Sequence, residues 1–227
     1  MTELFLVRHG ATPSNEHIPP ILQGKGIDDP LSETGLRQAA AVGRFFAERR
    51  VSRIYCSGLR RTRETAEAIA APHRLAVTPI EALHEIDVGV WQGKTWDILR
   101  REAPRELELN QADPVKYGHP GGENYQDVLD RVMPVFTRLL EEHAGEPFVV
   151  VAHNVVNRVY LAHLLRVPLN LANSIRQQNC GVNLIRRDQG ITSVVTCNSV
   201  FHLEPPNASA TVAPSKTQPP HADVQQK

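Results

Sequence analysis

Short apolar runs alternating with helix-periodic segments predict a three-layer α/β/α sandwich, with a mostly parallel sheet and an antiparallel edge. Three observations carry this. The runs at 4–7, 54–56 and 148–152 each stop abruptly at polar residues, as buried strands ending in loops do. The segments between them repeat apolar residues every three or four positions. Near the end, 182–185 and 192–195 are joined only by Arg187-Asp188-Gln189-Gly190, a link too short for anything but an antiparallel hairpin.

Taken in order, Leu4-Phe5-Leu6-Val7 is the first strand, breaking at Arg8-His9-Gly10. A helix follows from Ser32 to about Arg50, with Ser32 as N-cap and Leu36, Ala40, Gly43 and Phe46 expected on the buried face. Ile54-Tyr55-Cys56 is a second strand, turning through Ser57-Gly58-Leu59-Arg60 into a helix that carries Thr65, Ala66, Ile69 and Ala70. Residues 76–78 form a third strand. Tyr125, Val128, Leu129, Val132, Met133, Phe136, Leu139 and Leu140 share one helical face. Asn124 and Asp127 make a capping pair at its start, and Pro134 is expected to kink it. Phe148 to Ala152, continuous and β-branched, is the strongest strand of the chain.

Composition narrows the function. In 227 residues, 25 Lys and Arg balance 25 Asp and Glu, so no overall field favours nucleic acid or an anionic membrane. Affinity for anions must come from a local cluster. Cys56, Cys180 and Cys197 form no CxxC pair and no disulfide framework, which fits a reducing, cytoplasmic setting. No apolar run is long enough to span a bilayer, and the N-terminus lacks the features of a secretory signal. One domain is expected over 1–203, with a lid-like insertion at about 94–124. Residues 204–227, Pro-rich and without aromatic residues, read as a disordered tail.

In open α/β sheets the chemistry gathers at the carboxyl ends of the parallel strands. The first strand delivers Arg8 and His9, the second Ser57 and Arg60, and the Phe148 strand His153 and Asn154, the last two pairs at helix starts. Guanidinium forks and helix N-termini converging on one rim make an anion site. Glu85, in a Gly- and Trp-rich loop from Leu83 to Gly93, can bring a carboxyl group to it. Singly, such residues are more often structural or solvated; the combination is what points to catalysis.

Leu6-Val7-Arg8-His9-Gly10-Ala11-Thr12 resembles the Arg-His-Gly signature of the histidine phosphatase superfamily, also named for its phosphoglycerate mutase members. Asn15, Gln23-Gly24, the segment from Pro30 to Ala39, Ser57 to Ala66, Leu83 to Gly93, Gly121-Gly122-Glu123 and Val151-Ala152-His153 continue the pattern in order, over about residues 4–200. The resemblance implies a phosphoglycerate mutase-like fold, with His9 as the nucleophile that accepts the phosphoryl group. It implies that Arg8, Arg60 and His153 hold the phosphate oxygens, with Asn15 as a further donor, and that Gln23, Gly24 and Asn154 line the substrate site. Glu85 becomes the proton donor to the leaving oxygen and then the base for water.

Three departures from the family pattern stand out: Gly58 where Asp is usual, Asn154 where Gly is usual, and Gln92 where Glu is common. Gly58 shifts the capping of its helix to Ser57, and Asn154 is itself a good N-cap. The resemblance leaves hydrolysis and phosphoglycerate mutase-type transfer both open, and a non-catalytic phospho-ligand-binding module as a third reading. The stretch between Glu85 and His153 is shorter than in the cofactor-dependent mutases, which favours a small, bacterial-type phosphomonoesterase. The expected partner is a small phosphorylated metabolite, with no nucleic acid and no membrane; a homodimer is left open. No cofactor is expected, and the remaining histidines show no metal-ligand spacing. Trp91, Trp96, Tyr117 and His119 flank the cover of the pocket, either touching substrate or packing the cover down. Lys25, Lys94, Lys116, Arg61 and Arg158 are cations available to an acidic substrate.

Overall fold

The computed structural model describes residues 1–203, so the expected tail at 204–227 lies outside the described residues. Six strands form one sheet in the order β3-β2-β4-β1-β5-β6: β1 Thr2–Arg8, β2 Arg53–Cys56, β3 Val77–Pro79, β4 Pro147–Ala152, β5 Val182–Asp188 and β6 Ile191–Ser199. The first four in spatial order run parallel; β5 pairs antiparallel to β1, and β6 to β5, as the short link requires. All six lie where the sequence predicts them, the last two extended by several residues.

Period-two alternation sends the side chains of each central strand to opposite faces. Leu4, Leu6, Phe148, Val150 and Ala152 pack with helices α6 (Tyr125–Glu142) and α7 (Asn154–Leu165). Phe5, Val7, Ile54, Cys56, Val149 and Val151 face the other way, onto α2 (Glu33–Ala47) and α3 (Arg60–Ala70). That is the three-layer arrangement. The chain leaves β1 through the short α1 (Pro13–Glu16) and then α2 on one face, and leaves β4 through α7 on the other, so β1 and β4, side by side, flank a topological switch point. Ligands in such sheets bind outside the strand ends at this point.

One helical detail differs from expectation. Ser32 does cap α2, its Oγ accepting from Gly35 N at 3.1 Å. The buried face, however, is Gly35, Ala39, Val42, Gly43 and Phe46, while Leu36 is 54% exposed and Ala40 also faces solvent. Small residues decide the rotation. A Cβ on Gly35 would sit 2.0 Å from the Ala11 carbonyl oxygen, and one on Gly43 would sit 2.5 Å from that of Ala68, so the glycine stripe is where the helix is pressed closest. In α6 the capping pair forms, Asn124 and Asp127 each accepting from the other's backbone N–H at 2.9 Å. Pro134 lies inside the helix without ending it. It is exposed, so the carbonyl it leaves without a partner can be hydrated.

Between β3 and α6, the expected lid-like insertion holds α4 (Trp96–Glu102) and α5 (Pro104–Ala112), anchored to the core by buried Leu99 and Leu107. Trp91 is also buried, its ring edge-on to His119 at 5.3 Å, so these two pack the segment down. No helix among the described residues is long and apolar enough to cross a membrane.

Candidate active site

The register places β1 and β4 flush, with Arg8 opposite Ala152, and the His9 N–H donates to the Ala152 carbonyl at 3.1 Å. Both strands therefore end together, and His9 and His153 meet there with ring centroids 5.2 Å apart. His9 is buried. Its Nδ1 lies 2.7 Å from the Gly10 carbonyl oxygen, which can only accept, so the proton sits on Nδ1. The lone pair is left on Nε2, which makes no hydrogen bond among the described residues. Burial first, then the positive charges of Arg61 and Arg8, hold His9 well below the usual imidazole range, so the ring is neutral and nucleophilic.

His153 is fully buried, and its Nε2 meets Ser57 Oγ at 2.7 Å. Ser57 Oγ in turn lies 2.9 Å from Thr62 Oγ1. His153 Nδ1 has no partner among the described residues. Its pKa is also well below the ordinary value, through burial and then Arg61, so it too is neutral and carries one proton. Ser57 Oγ can donate to Nε2 or accept from it; donating, it leaves that proton on Nδ1, where the unpartnered nitrogen is a donor for an anionic oxygen. The sequence reading placed Ser57 on the rim without a role toward His153, and it did not single out Thr62, which lies on the inward face of α3.

The cations separate sharply. Arg8 donates through Nη1 to the Gln177 carbonyl at 2.7 Å, while its buried Nε is unpartnered. Burial lowers its pKa to about 10 against the opposing pull of Glu85, which leaves it charged. The second arginine at the rim is not Arg60. The Arg60 side chain is 57% exposed and bound through Nε to Glu64 at 2.7 Å. Arg61 is 1% exposed and donates to the carbonyls of Ile27 at 2.6 Å and Gly24 at 2.9 Å, again with its Nε unpartnered. Burial lowers its pKa, Glu85 is the largest opposing influence, and its charge is felt at both histidines. The reason is helical phase. Each residue turns about 100°, and Arg61, Thr62, Thr65, Ala66 and Ile69 form the buried face of α3, which leaves Arg60 outside. The inward Thr65, Ala66 and Ile69, already visible in the sequence, carried the signal that selects Arg61.

Glu85 arrives as expected. Its Oε1 accepts from Ile86 N at 2.9 Å, and both carboxylate oxygens lie 3.3 Å from Val155 N, a free donor in the first turn of α7. Of the other expected residues, Gly24 supplies its carbonyl to Arg61, and Gln23 is buried with Oε1 unpartnered. Asn15 Oδ1 accepts from Thr12 N and Asn179 Nδ2, both at 3.3 Å, so its carbonyl serves the loop. The N-cap of α7 is His153 and not Asn154, which is the first helical residue and keeps a buried, unpartnered Oδ1. Nor does Ser57 alone replace the Asp missing at position 58. Ser57 Oγ accepts from Leu59 N at 3.3 Å, and Asp28, from another loop, accepts the Arg60 N–H at 2.5 Å. Gln92 packs on Gly26.

The remaining cations are spoken for. Lys25 pairs with Asp87 and Lys94 with Glu102, each at 2.8 Å; Lys116 lies over the Tyr117 ring. Arg158 donates to the Ile175 carbonyl and to Asn173. Among the described residues no three His, Cys, Asp or Glu side chains are grouped to hold a metal ion.

Comparison with known proteins places this geometry in a family. The chain is 30% identical to phosphoserine phosphatase 1 of Hydrogenobacter thermophilus, over 89% of its own length and 95% of the relative's. The Bacillus stearothermophilus YhfR structure superposes with a TM-score of 0.84 at 31% identity, covering 90% of this chain and all of that one. A mycobacterial glucosyl-3-phosphoglycerate phosphatase gives 0.78 at 26% identity, over 87% and 99%. Human 6-phosphofructo-2-kinase/fructose-2,6-bisphosphatase 3 is 36% identical over 71% of the chain, but the match spans only 29% of that protein. The model of the histidine phosphatase superfamily (branch 1) matches residues 4–200, and the chain belongs to that superfamily.

Proposed function

We propose that the chain hydrolyses phosphomonoesters of small metabolites through a phosphohistidine on His9. The observation that carries this is a neutral imidazole whose single free nitrogen is Nε2, set beside two arginines bonded only to carbonyl groups. The phosphoryl oxygens are met by the guanidinium groups of Arg8 and Arg61 and by His153 Nδ1, in place of the Arg60 expected from the sequence. Nε2 attacks phosphorus in line as the ester oxygen departs, and Glu85 delivers a proton to that oxygen. Glu85, now a carboxylate, takes a proton from water, whose oxygen attacks phosphorus. The P–N bond breaks, and His9 and inorganic phosphate are released. Positioning and charge neutralisation supply most of the catalysis in phosphoryl transfer, and both are built into this rim.

The names of the relatives support a small phosphorylated metabolite as substrate, and Asn15, Gln23 and Asn154 line its approach in this reading. The insertion at 94–124 covers the site. A cytoplasmic setting fits the free thiols of Cys56, Cys180 and Cys197.

The test is a panel of phosphomonoesters with acid-quench recovery of the phosphoenzyme. Wild-type protein should carry an acid-labile phosphoryl group, and His9→Ala should carry none and lose turnover by a factor of at least about 10⁴. Label recovered on another residue, or activity surviving in His9→Ala, would overturn the assignment.

A further inference from the structure

Glu85 is the mobile-proton group of the proposed reaction, yet it stands on a loop between β3 and α4, where position is least assured. Its backbone is held by a mostly buried ion pair. Arg131, on α6, faces Glu123 as a fork: Nε to Oε1 at 2.8 Å and Nη2 to Oε2 at 2.9 Å. The third nitrogen, Nη1, donates to the carbonyls of Ala82 at 2.8 Å and His84 at 3.0 Å. Glu123 Oε2 also accepts from Asp87 N at 2.8 Å, and the Glu123 N–H donates to the Asp87 carbonyl at 2.8 Å. The pair thus holds the backbone on both sides of Glu85, at 82, 84 and 87. Gly122 allows this approach, since a Cβ there would sit 2.2 Å from the Asp87 carbonyl oxygen.

Both side chains are less than one-fifth exposed. Burial acts to raise the Glu123 pKa; the Arg131 fork and the Asp87 N–H outweigh it and leave the group below its ordinary value, so the carboxylate stays ionised. A bidentate, charge-assisted pair of this kind fixes direction as well as distance.

We infer that Glu123 and Arg131 are positioning residues for Glu85, holding its carboxyl group in line with the leaving oxygen. The inference rests on Glu85 being the proton donor and adds the device that aims it. Fold stability alone does not require that a loss here depend on the leaving group. A positioning role does, because an alkoxide needs the proton and a good phenolate does not.

The experiment measures phosphoenzyme formation from glycerol phosphate and from p-nitrophenyl phosphate in Glu123→Gln and Arg131→Lys, alone and combined with Glu85→Gln. The alkyl ester should lose roughly tenfold or more, as expected of a proton donor displaced by a fraction of an ångström, and the aryl ester less than about threefold. In the Glu85→Gln background either change should add little. Equal losses for the two esters, or full additivity with Glu85→Gln, would overturn the clamp while leaving Glu85 in place. A Glu85→Gln variant that itself shows no leaving-group dependence would overturn the donor assignment and the clamp together. Should Glu123→Gln not fold, Arg131→Lys carries the same test, because it keeps the cation and removes the fork.

Discussion

The strand-end floor of the site and the loops around Glu85 are both rich in charge, but they handle it in opposite ways. In the floor, Arg8 and Arg61 are held by carbonyl oxygens of Gln177, Ile27 and Gly24, and among the described residues no carboxylate is hydrogen-bonded to either. Around the Glu85 segment three cations each have a carboxylate at 2.8 Å: Lys25 with Asp87, Lys94 with Glu102, Arg131 with Glu123. A carbonyl dipole fixes a guanidinium without cancelling its charge, so the floor keeps its field for an incoming dianion. A carboxylate cancels the charge and leaves geometry. The floor is therefore suited to electrostatic stabilisation, and the surrounding loops to placement.

The contrast is tested most severely by two adjacent residues. Arg61→Ala, removing a cation hydrogen-bonded to carbonyl groups, should lower kcat/KM by about 10²-fold or more for every phosphomonoester, whereas Arg60→Ala, removing one already paired with Glu64, should change it by less than about threefold. Steady-state kinetics on both variants decide it, and a larger loss in Arg60→Ala would reverse the division. Ser57→Ala comes next. It removes the hydroxyl that, in the proposed reaction, keeps the His153 proton on Nδ1, and a loss of about 1–2 kcal/mol in transition-state stabilisation, roughly tenfold, is expected irrespective of leaving group. Nitrogen-15 spectra of the imidazoles should show the Nδ1–H form of His153 in the wild type and a mixture in Ser57→Ala; an unchanged tautomer would remove Ser57 from this role.

The smallest effect is on stability. His9 and His153 both have folded-state pKa values depressed below 6.5, so the unfolded chain binds protons that the folded chain refuses. Stability is then fully present above pH ~6.5 and falls as pH drops below it, toward the folded-state values, by up to about 1.4 kcal/mol per pH unit for each such histidine. Urea unfolding between pH 7.5 and 5.5 should show this slope, and His9→Ala should reduce it by one proton's worth. An unchanged slope in that variant would mean His9 is protonated in the folded state, which the floor's field forbids.

Much of this architecture is readable from the chain, and the exceptions have physical causes. Continuous apolar runs ending in Arg8-His9 and His153 mark the rim because a buried strand must end where polar residues begin. The capping pair at Asn124 marks the start of α6 for a similarly local reason. Phase is harder. Leu36 and Arg60 mislead because each sits one residue from a buried position, and a helix turns that step into a change of face. The partners of Ser57 and Glu123 depend on contacts as distant as His153 and Asp87, which no local pattern encodes.

The hydrogen bond from His9 Nδ1 to the Gly10 carbonyl has a stereochemical consequence. With one ring nitrogen withdrawn, the phosphoryl group is received and surrendered at a single atom, from a single side. Each displacement inverts phosphorus and two successive inversions cancel, so a phosphorothioate ester carrying oxygen-16 and oxygen-18 on phosphorus, hydrolysed in oxygen-17 water, should release inorganic thiophosphate with its configuration retained. The modified residue should be the Nε2 regioisomer alone, distinguishable by chemical shift from its Nδ1 counterpart.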